Sequence, residues 1–279
     1  MLNIIRSDLF KIRKGKAFYG VMIGILGTLI LVAGIFKVIQ SPAFRETMTV
    51  HEEAFDEGDI MDVEDAQQYL PTNGGEFLTF VNQEVGGAFL FFLLPFIIAV
   101  FGADYSSGAY RNLLSYHSGR GGIYAAKIIT SIILTVLMLF GSAVFSIIIG
   151  AVVFGFGGFT GAVLLGTVKC IIMMLPILVS LIAAGHCVLA FTKKTSATIA
   201  FYLVGLIVWS LVLEIPAMLI PNMEWLLQLD FTSSIKAAAQ YAMNADVKIL
   251  IPMLFSFVLI AGTYVLGVIR YKTTDFDFD

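Results

Sequence analysis

The stretch IITSIILTVLMLFGSAVFSIIIGAVVF, residues 128–154, runs without a charged side chain and without proline. A helix needs about 20 predominantly apolar residues to cross the hydrocarbon of a bilayer, so this segment is long enough to span one. Five further runs of the same character lie around it, at about 17–36, 87–103 (short, and containing Pro95), 168–191, 197–220 and 249–269. Composition agrees with that reading. Of 279 residues, 58% are apolar and only 13% charged, with a mean hydropathy of +0.91, whereas a water-soluble protein carries about 25% charged residues. The expected fold is therefore an all-α integral membrane protein, a single domain over residues 1–279 with six transmembrane helices.

The charges between the runs orient it. The net charge of −3 hides a segregation in which 11 of the 20 acids fall between Glu46 and Glu84. Basic residues gather in residues 1–16, in the connection holding Arg111, Arg120 and Lys127, in the Lys193-Lys194 hairpin and in the tail with Arg270 and Lys272, making 12 of the 17. By the positive-inside rule these segments and both termini are cytoplasmic, and residues 40–86 form an acidic extracellular loop. No global basic field for nucleic acid exists. The basic start followed by an apolar run resembles a cleavable leader, but the run is too long for one and no small-x-small site precedes the loop, so the two read together as a retained signal anchor. An interfacial helix over 2–14 places Leu2, Ile5, Leu9 and Ile12 near one face, with Asn3, Ser7, Lys11 and Lys14 on the other and Ile4 and Phe10 breaking the pattern.

The connection between the second and third runs carries the sharpest pattern. It reads DYSSGAYRNLLSYHSGR from Asp104 to Arg120. Ser106 or Ser107 can cap a short helix, Gly119 can end it, and Tyr110, Leu113, Leu114 and His117 fall at i, i+3, i+4 and i+7. The result is a cytoplasmic amphipathic helix that either lies on lipid headgroups or offers its apolar face to a groove on a soluble partner.

With these residues in place the chain resembles the permease subunits of ATP-binding-cassette type-2 transporters. In that family an acidic residue ending the second span leads into a Gly-containing turn, a short coupling helix and a Ser-x-Arg corner followed by Lys. Asp104, Gly108, the helix from Arg111 to His117, Ser118-Gly119-Arg120 and Lys127 look like those positions. The resemblance implies that Asp104, Gly108, Tyr110, Arg111, Leu113, Leu114, His117 and Arg120 couple the chain to an ABC ATP-binding subunit, present in two copies. It also implies a second permease half, added by homo- or heterodimerisation, and a bacterial plasma membrane. The sequence has no G-x-x-x-x-G-K-[ST] phosphate loop, so ATP and magnesium are expected in the partner ATPase and no cofactor or catalytic residue in this chain.

Residues 221–248 follow Pro216 and Pro221 and mix Trp225, Leu226 and Phe231 with Glu224, Asp230 and Lys236. They read as amphipathic pieces dipping into the outer leaflet, a re-entrant segment before the last span, against the plainer reading of a loop collapsed on lipid. Within the spans, Lys169 and Glu214 sit near outer ends and can snorkel. His186, beside Cys187, is either a pathway residue or a hydrogen-bonded packing residue, and adjacent positions on a helix point apart, which disfavours a metal pair. Cys170 and Cys187 stand 17 residues apart, about 25 Å along a helix, too far for a disulfide. The acidic stretch from His51 to Asp65 misses the register of a calcium loop and reads as a solvated surface, with attraction of cationic peptides as the alternative. His186, Glu214 and Trp225 are carried forward as pathway or re-entrant candidates. The resemblance makes the membrane subunit of an ATP-driven exporter, with a peptide antibiotic or other amphipathic compound as substrate, the leading expectation; two other classes stand beside it, a sensing or immunity complex without bulk transport, and an intramembrane enzyme built on His186, Glu214 and Asp104.

Overall fold

A computed structural model describes residues 1–44, 70–104, 119–244 and 249–273. Along the chain come α1 (Leu2–Lys14), α2 (Ala17–Ile39), α3 (Gly74–Gln83), a 3-10 turn (Val85–Ala88), α4 (Phe89–Ile97), a π turn (Ile98–Gly102), α5 (Arg120–Phe154), α6 (Gly161–Thr192), α7 (Thr195–Leu219), a second 3-10 turn (Glu224–Leu229), α8 (Phe231–Asn244) and α9 (Leu250–Thr273). No strand occurs among the described residues. Six helical segments are long and apolar enough to cross a membrane: α2, the Val85–Gly102 unit containing α4, α5, α6, α7 and α9.

The apolar runs have become longer helices than their composition suggested. α5 starts at Arg120 rather than near Ile128, because Lys127, which had marked the boundary, is buried and neutralised inside the bundle. At 1.5 Å per residue its 35 residues make about 52 Å, well beyond a hydrocarbon core of about 30 Å. α7 continues through Pro216 to Leu219. Pro95 likewise sits inside α4, and the backbone passes into the π turn directly after that helix.

α4, α5 and α6 form the packed centre. Leu93, Phe96 and Ile97 of α4, Met138 of α5, and Ile177 and Leu178 of α6 are fully buried. α2 shows the opposite balance: only Val21, Ile25, Leu29 and Ala33, one residue per turn, are buried. Ile23, Ile30, Leu31 and Ile35 are exposed, and α7 and α9 are similarly bare. In a bilayer such apolar faces cost nothing, since lipid is as apolar as leucine.

At one end of the bundle α3 and α8 pack together over the centre. α3 lies within residues 40–86, where the charge pattern predicts an acidic loop. Its start is a reciprocal cap: Asn73 Oδ1 accepts from the Glu76 backbone N–H at 3.0 Å, and the Glu76 carboxylate accepts from the Thr72 N–H at 2.7 Å and the Asn73 side-chain amide at 2.7 Å. The Thr72 N–H, ahead of the remaining donors, holds the Glu76 carboxyl below its ordinary value. The Gly74 and Gly75 N–H groups donate to the Gly155 and Gly157 carbonyls at 3.2 and 3.0 Å. A Cβ at Gly75 would overlap the Gly158 backbone, so only glycine lets this helix start against the α5–α6 turn. On α8, Ile235, Ala238 and Ala239 are completely buried. Residues 224–244 are thus largely helical and partly core, a tighter arrangement than a loop lying on lipid.

Candidate functional site

The opposite end gathers α1, the last residues before the 105–118 connection, the first after it, the α6–α7 hairpin and the end of α9. Its centre is Lys127, whose side chain is 1% exposed. An ammonium group has three N–H donors, and all three are taken. One goes to Asp8 at 2.9 Å, one to the Val100 carbonyl at 3.1 Å, and one to Asp104. Val100 lies on the π turn, a backbone irregularity that occurs mostly as single turns within α-helices and frequently at functional sites. Lys11 completes the group from the solvent side, 3.4 Å from Asp104 and 4.0 Å from Asp8, with its side chain 52% exposed.

Two buried carboxylates and two lysines make the cluster formally neutral, the condition under which charge can be buried at all. It is still strained electrostatically at one member. Burial, only partly opposed by Lys127, raises the Asp8 carboxyl above its ordinary range, and Asp104 nearby adds to the rise. Removing Lys127 would leave two buried carboxylates without their main partner, so the groups act as one clamp on three elements.

Asp104 opens the connection that runs to Arg120, so this clamp fixes its first stem. The second stem is held separately. The Arg120 guanidinium donates to the Lys272 carbonyl at 2.8 Å, and Gly121 lies against the Lys272 and Val268 side chains. Of the residues expected to couple, Asp104 and Arg120 are therefore placed, at the two anchored stems. Gly108, Tyr110, Arg111, Leu113, Leu114 and His117 lie outside the described residues.

Sequence reading missed Asp8. The face of α1 that is buried runs Ile4, Asp8, Ile12, a strict i, i+4, i+8 stripe, whereas the hydrophobic pattern had favoured Leu2, Ile5, Leu9 and Ile12. The helix is rotated because the ion cluster draws Asp8 inward, leaving Leu2 62% exposed. The available signal was a lone acid in an otherwise basic segment, flanked one turn each way by isoleucine.

His186 is fully buried, with Nε2 at 2.8 Å from the Ser131 hydroxyl and its ring edge-on to Phe101 at 5.4 Å. Its Nδ1 is buried without a partner. It lies near the α1 end, six residues before the close of α6. Glu214 is exposed five residues before the opposite end of α7, and Trp225 is 48% exposed in the turn beyond. The antiparallel α6–α7 hairpin thus separates Glu214 from His186 and Asp104 along the bundle, and the three do not assemble into one acid–base site. Among the described residues no group of three metal-ligating side chains occurs, and Cys170 and Cys187 are both buried and unpaired with each other.

No curated protein matches the sequence. A family model described as ABC-2 family transporter protein matches residues 2–276, which span every helix described above, including α1 and the clamped stems. A helical bundle with six membrane-spanning helices, matched over nearly its whole length, belongs to the ABC-2 family and is the permease subunit of an ABC transporter, whose partner is an ABC ATP-binding subunit.

Proposed function

We propose that this permease works in an ATP-driven exporter and takes its drive through the 105–118 connection. The observation that carries the reading is the clamping of both stems. A segment that receives force from a soluble partner has to pass it to the spans, and here one stem is tied through Lys127 to α1, α4 and α5, the other through Arg120 to α9. ATP and magnesium belong to the partner, which binds in two copies to a pair of permease halves. Closure of the two ATPases would displace the clamped ends together and switch the pathway between the halves. The clamped end faces the cytoplasm of a bacterial cell, as do both termini, consistent with its Lys and Arg. α8 and the turn before it sit as a re-entrant element at the outer leaflet, and the cargo is an amphipathic compound such as a peptide antibiotic.

The test replaces Leu113 and Leu114 by Asp in the permease–ATPase complex. The expected result is a permease that still inserts but releases its ATPase or loses substrate-stimulated hydrolysis. A doubly substituted complex that stays assembled and fully substrate-responsive would reduce this segment to a headgroup anchor. Intact, ligand-responsive hydrolysis without movement of cargo into vesicles would favour a sensing or immunity role.

A further inference from the structure

Between α6, α7 and α9 a cleft of about 290 Å³ opens sideways from the bundle. Leu181 and Val188 of α6, Gly205 and Trp209 of α7, and Phe255 and Leu259 of α9 line it. Its polar side chains are turned away from any guest: the Tyr202 hydroxyl donates to the Leu90 carbonyl at 2.7 Å, and Trp209 Nε1 to the Leu229 carbonyl at 3.0 Å. What remains is a hydrocarbon surface on three membrane-spanning helices. One end is shut by Trp209 stacked on Phe255, centroids 5.6 Å apart and planes 9° from parallel.

The other end leads to positive charge. Helix positions three or four apart share a face, so the three lining stripes can be followed outward. On α7 the stripe runs Trp209, Gly205, Phe201 and Thr198 to the first turn of the helix, and Lys194 is the extended residue directly before that turn. The α9 stripe runs Phe255, Leu259, Thr263, Leu266 and then Arg270. On α6 it runs Leu181, Val188 and then Phe191. The α6 and α9 ends meet, because the Arg270 guanidinium lies over the Phe191 ring at 5.6 Å. Lys193 and Lys194 are both exposed at the adjoining hairpin.

We propose that this cleft is a binding site for an anionic phospholipid, with one acyl chain in the cleft and the phosphate met by Lys194, Lys193 and Arg270. The dimensions suit one leaflet. Phe201 at the mouth lies seven residues from Lys194, about 10 Å along the helix, and Trp209 lies fifteen residues away, about 22 Å. Half of a bilayer, headgroup region included, is about 20–22 Å, so a chain whose headgroup sits at Lys194 ends near the aromatic stop. Basic pockets between spans at the cytoplasmic side are the setting in which anionic headgroups are recognised. The site reads lipid and not nucleotide, so it stands or falls apart from coupling to the ATPase.

The test uses the full-length chain with Trp225→Phe, which leaves Trp209 as the sole tryptophan of the two, in phosphatidylcholine nanodiscs. The probes are phosphatidylglycerol and phosphatidylcholine with brominated chains, and the readout is quenching of Trp209. The expected result is half-maximal quenching at a several-fold lower mole fraction of the phosphatidylglycerol probe, with the preference shrinking at high salt. Replacing Lys193, Lys194 and Arg270 by Gln should bring the two probes to parity. Gly205→Phe should protect Trp209 from both, in a chain that still folds, because a Cβ at Gly205 meets open space. Equal quenching by the two probes in the parent, or a preference that survives both high salt and the triple substitution, would overturn the proposal. So would protection of Trp209 from either probe in the parent, the result expected if a second permease half covers the cleft.

Discussion

Lys127→Met is the perturbation that weighs the clamp most directly. Methionine keeps the length of the side chain and removes the charge, leaving Asp8 and Asp104, 3% and 5% exposed, with only the half-exposed Lys11 at 4.0 and 3.4 Å. Breaking a buried ion pair by deleting one partner costs about 3–5 kcal/mol. Asp8, already raised above the carboxylate range by burial, can escape part of that cost by taking up a proton, so the lower half of the range is expected. Asp8→Asn should cost less, about 1–3 kcal/mol, the scale for leaving a buried donor short of its partner, because Lys127 keeps Asp104 and the Val100 carbonyl. The triple variant Asp8→Asn, Asp104→Asn, Lys127→Met carries no buried charge, so it should recover about 2 kcal/mol over Lys127→Met alone. Equilibrium unfolding in mixed micelles, followed by far-ultraviolet circular dichroism, measures all three, and the Asp8–Lys127 double-mutant cycle should give a coupling of at least about 1 kcal/mol. A Lys127→Met protein within about 0.5 kcal/mol of wild type, or a triple variant no more stable than the single one, would refute the cluster as a structural clamp.

Three other outcomes follow from the same geometry. Because folded Asp8 holds its proton more tightly than the unfolded chain, its contribution to stability should fall as pH rises from about 3.9 through its raised folded value; the stability difference between wild type and Asp8→Asn, measured across that window, should shrink with rising pH, and a difference that grows would contradict the assignment. Gly75→Val should destabilise the α3 end strongly, since its Cβ would overlap the Gly158 backbone, whereas Asn73→Ala should cost only about 1 kcal/mol for the lost cap; equal unfolding midpoints for the two would discount the close approach. A membrane-impermeant thiol reagent applied from outside should label a cysteine placed at Asp62 and miss one at Lys193, with the native Cys170 and Cys187 silent because both are buried, and the reverse pattern would invert the topology.

The helical class, the six spans and the basic end were legible because each rests on a one-dimensional property: runs of apolar residues long enough for hydrocarbon, and Lys and Arg collected between alternate runs. Asp104 and Lys127 stood out too, as charged residues bordering the second and third apolar runs. What those borders did not contain was Asp8, ninety-six residues before Asp104, which enters only when α1 folds back against α5 and a buried ammonium needs its acceptors. For the same reason the hydrophobic pattern of α1 pointed to the wrong face: pattern ranks residues by their affinity for oil, while Asp8 is drawn inward by charge. α3 escaped notice because its ten residues are too few and too mixed for a periodic signal, and it is stabilised by glycine contacts with a turn some eighty residues away. His186, Glu214 and Trp225 looked comparable as isolated polar or aromatic residues in apolar surroundings. Only the antiparallel course of α6 and α7 put His186 in the interior near the clamp and Glu214 on the surface toward the far end, because the sequence lists side chains while packing decides which of them share a space.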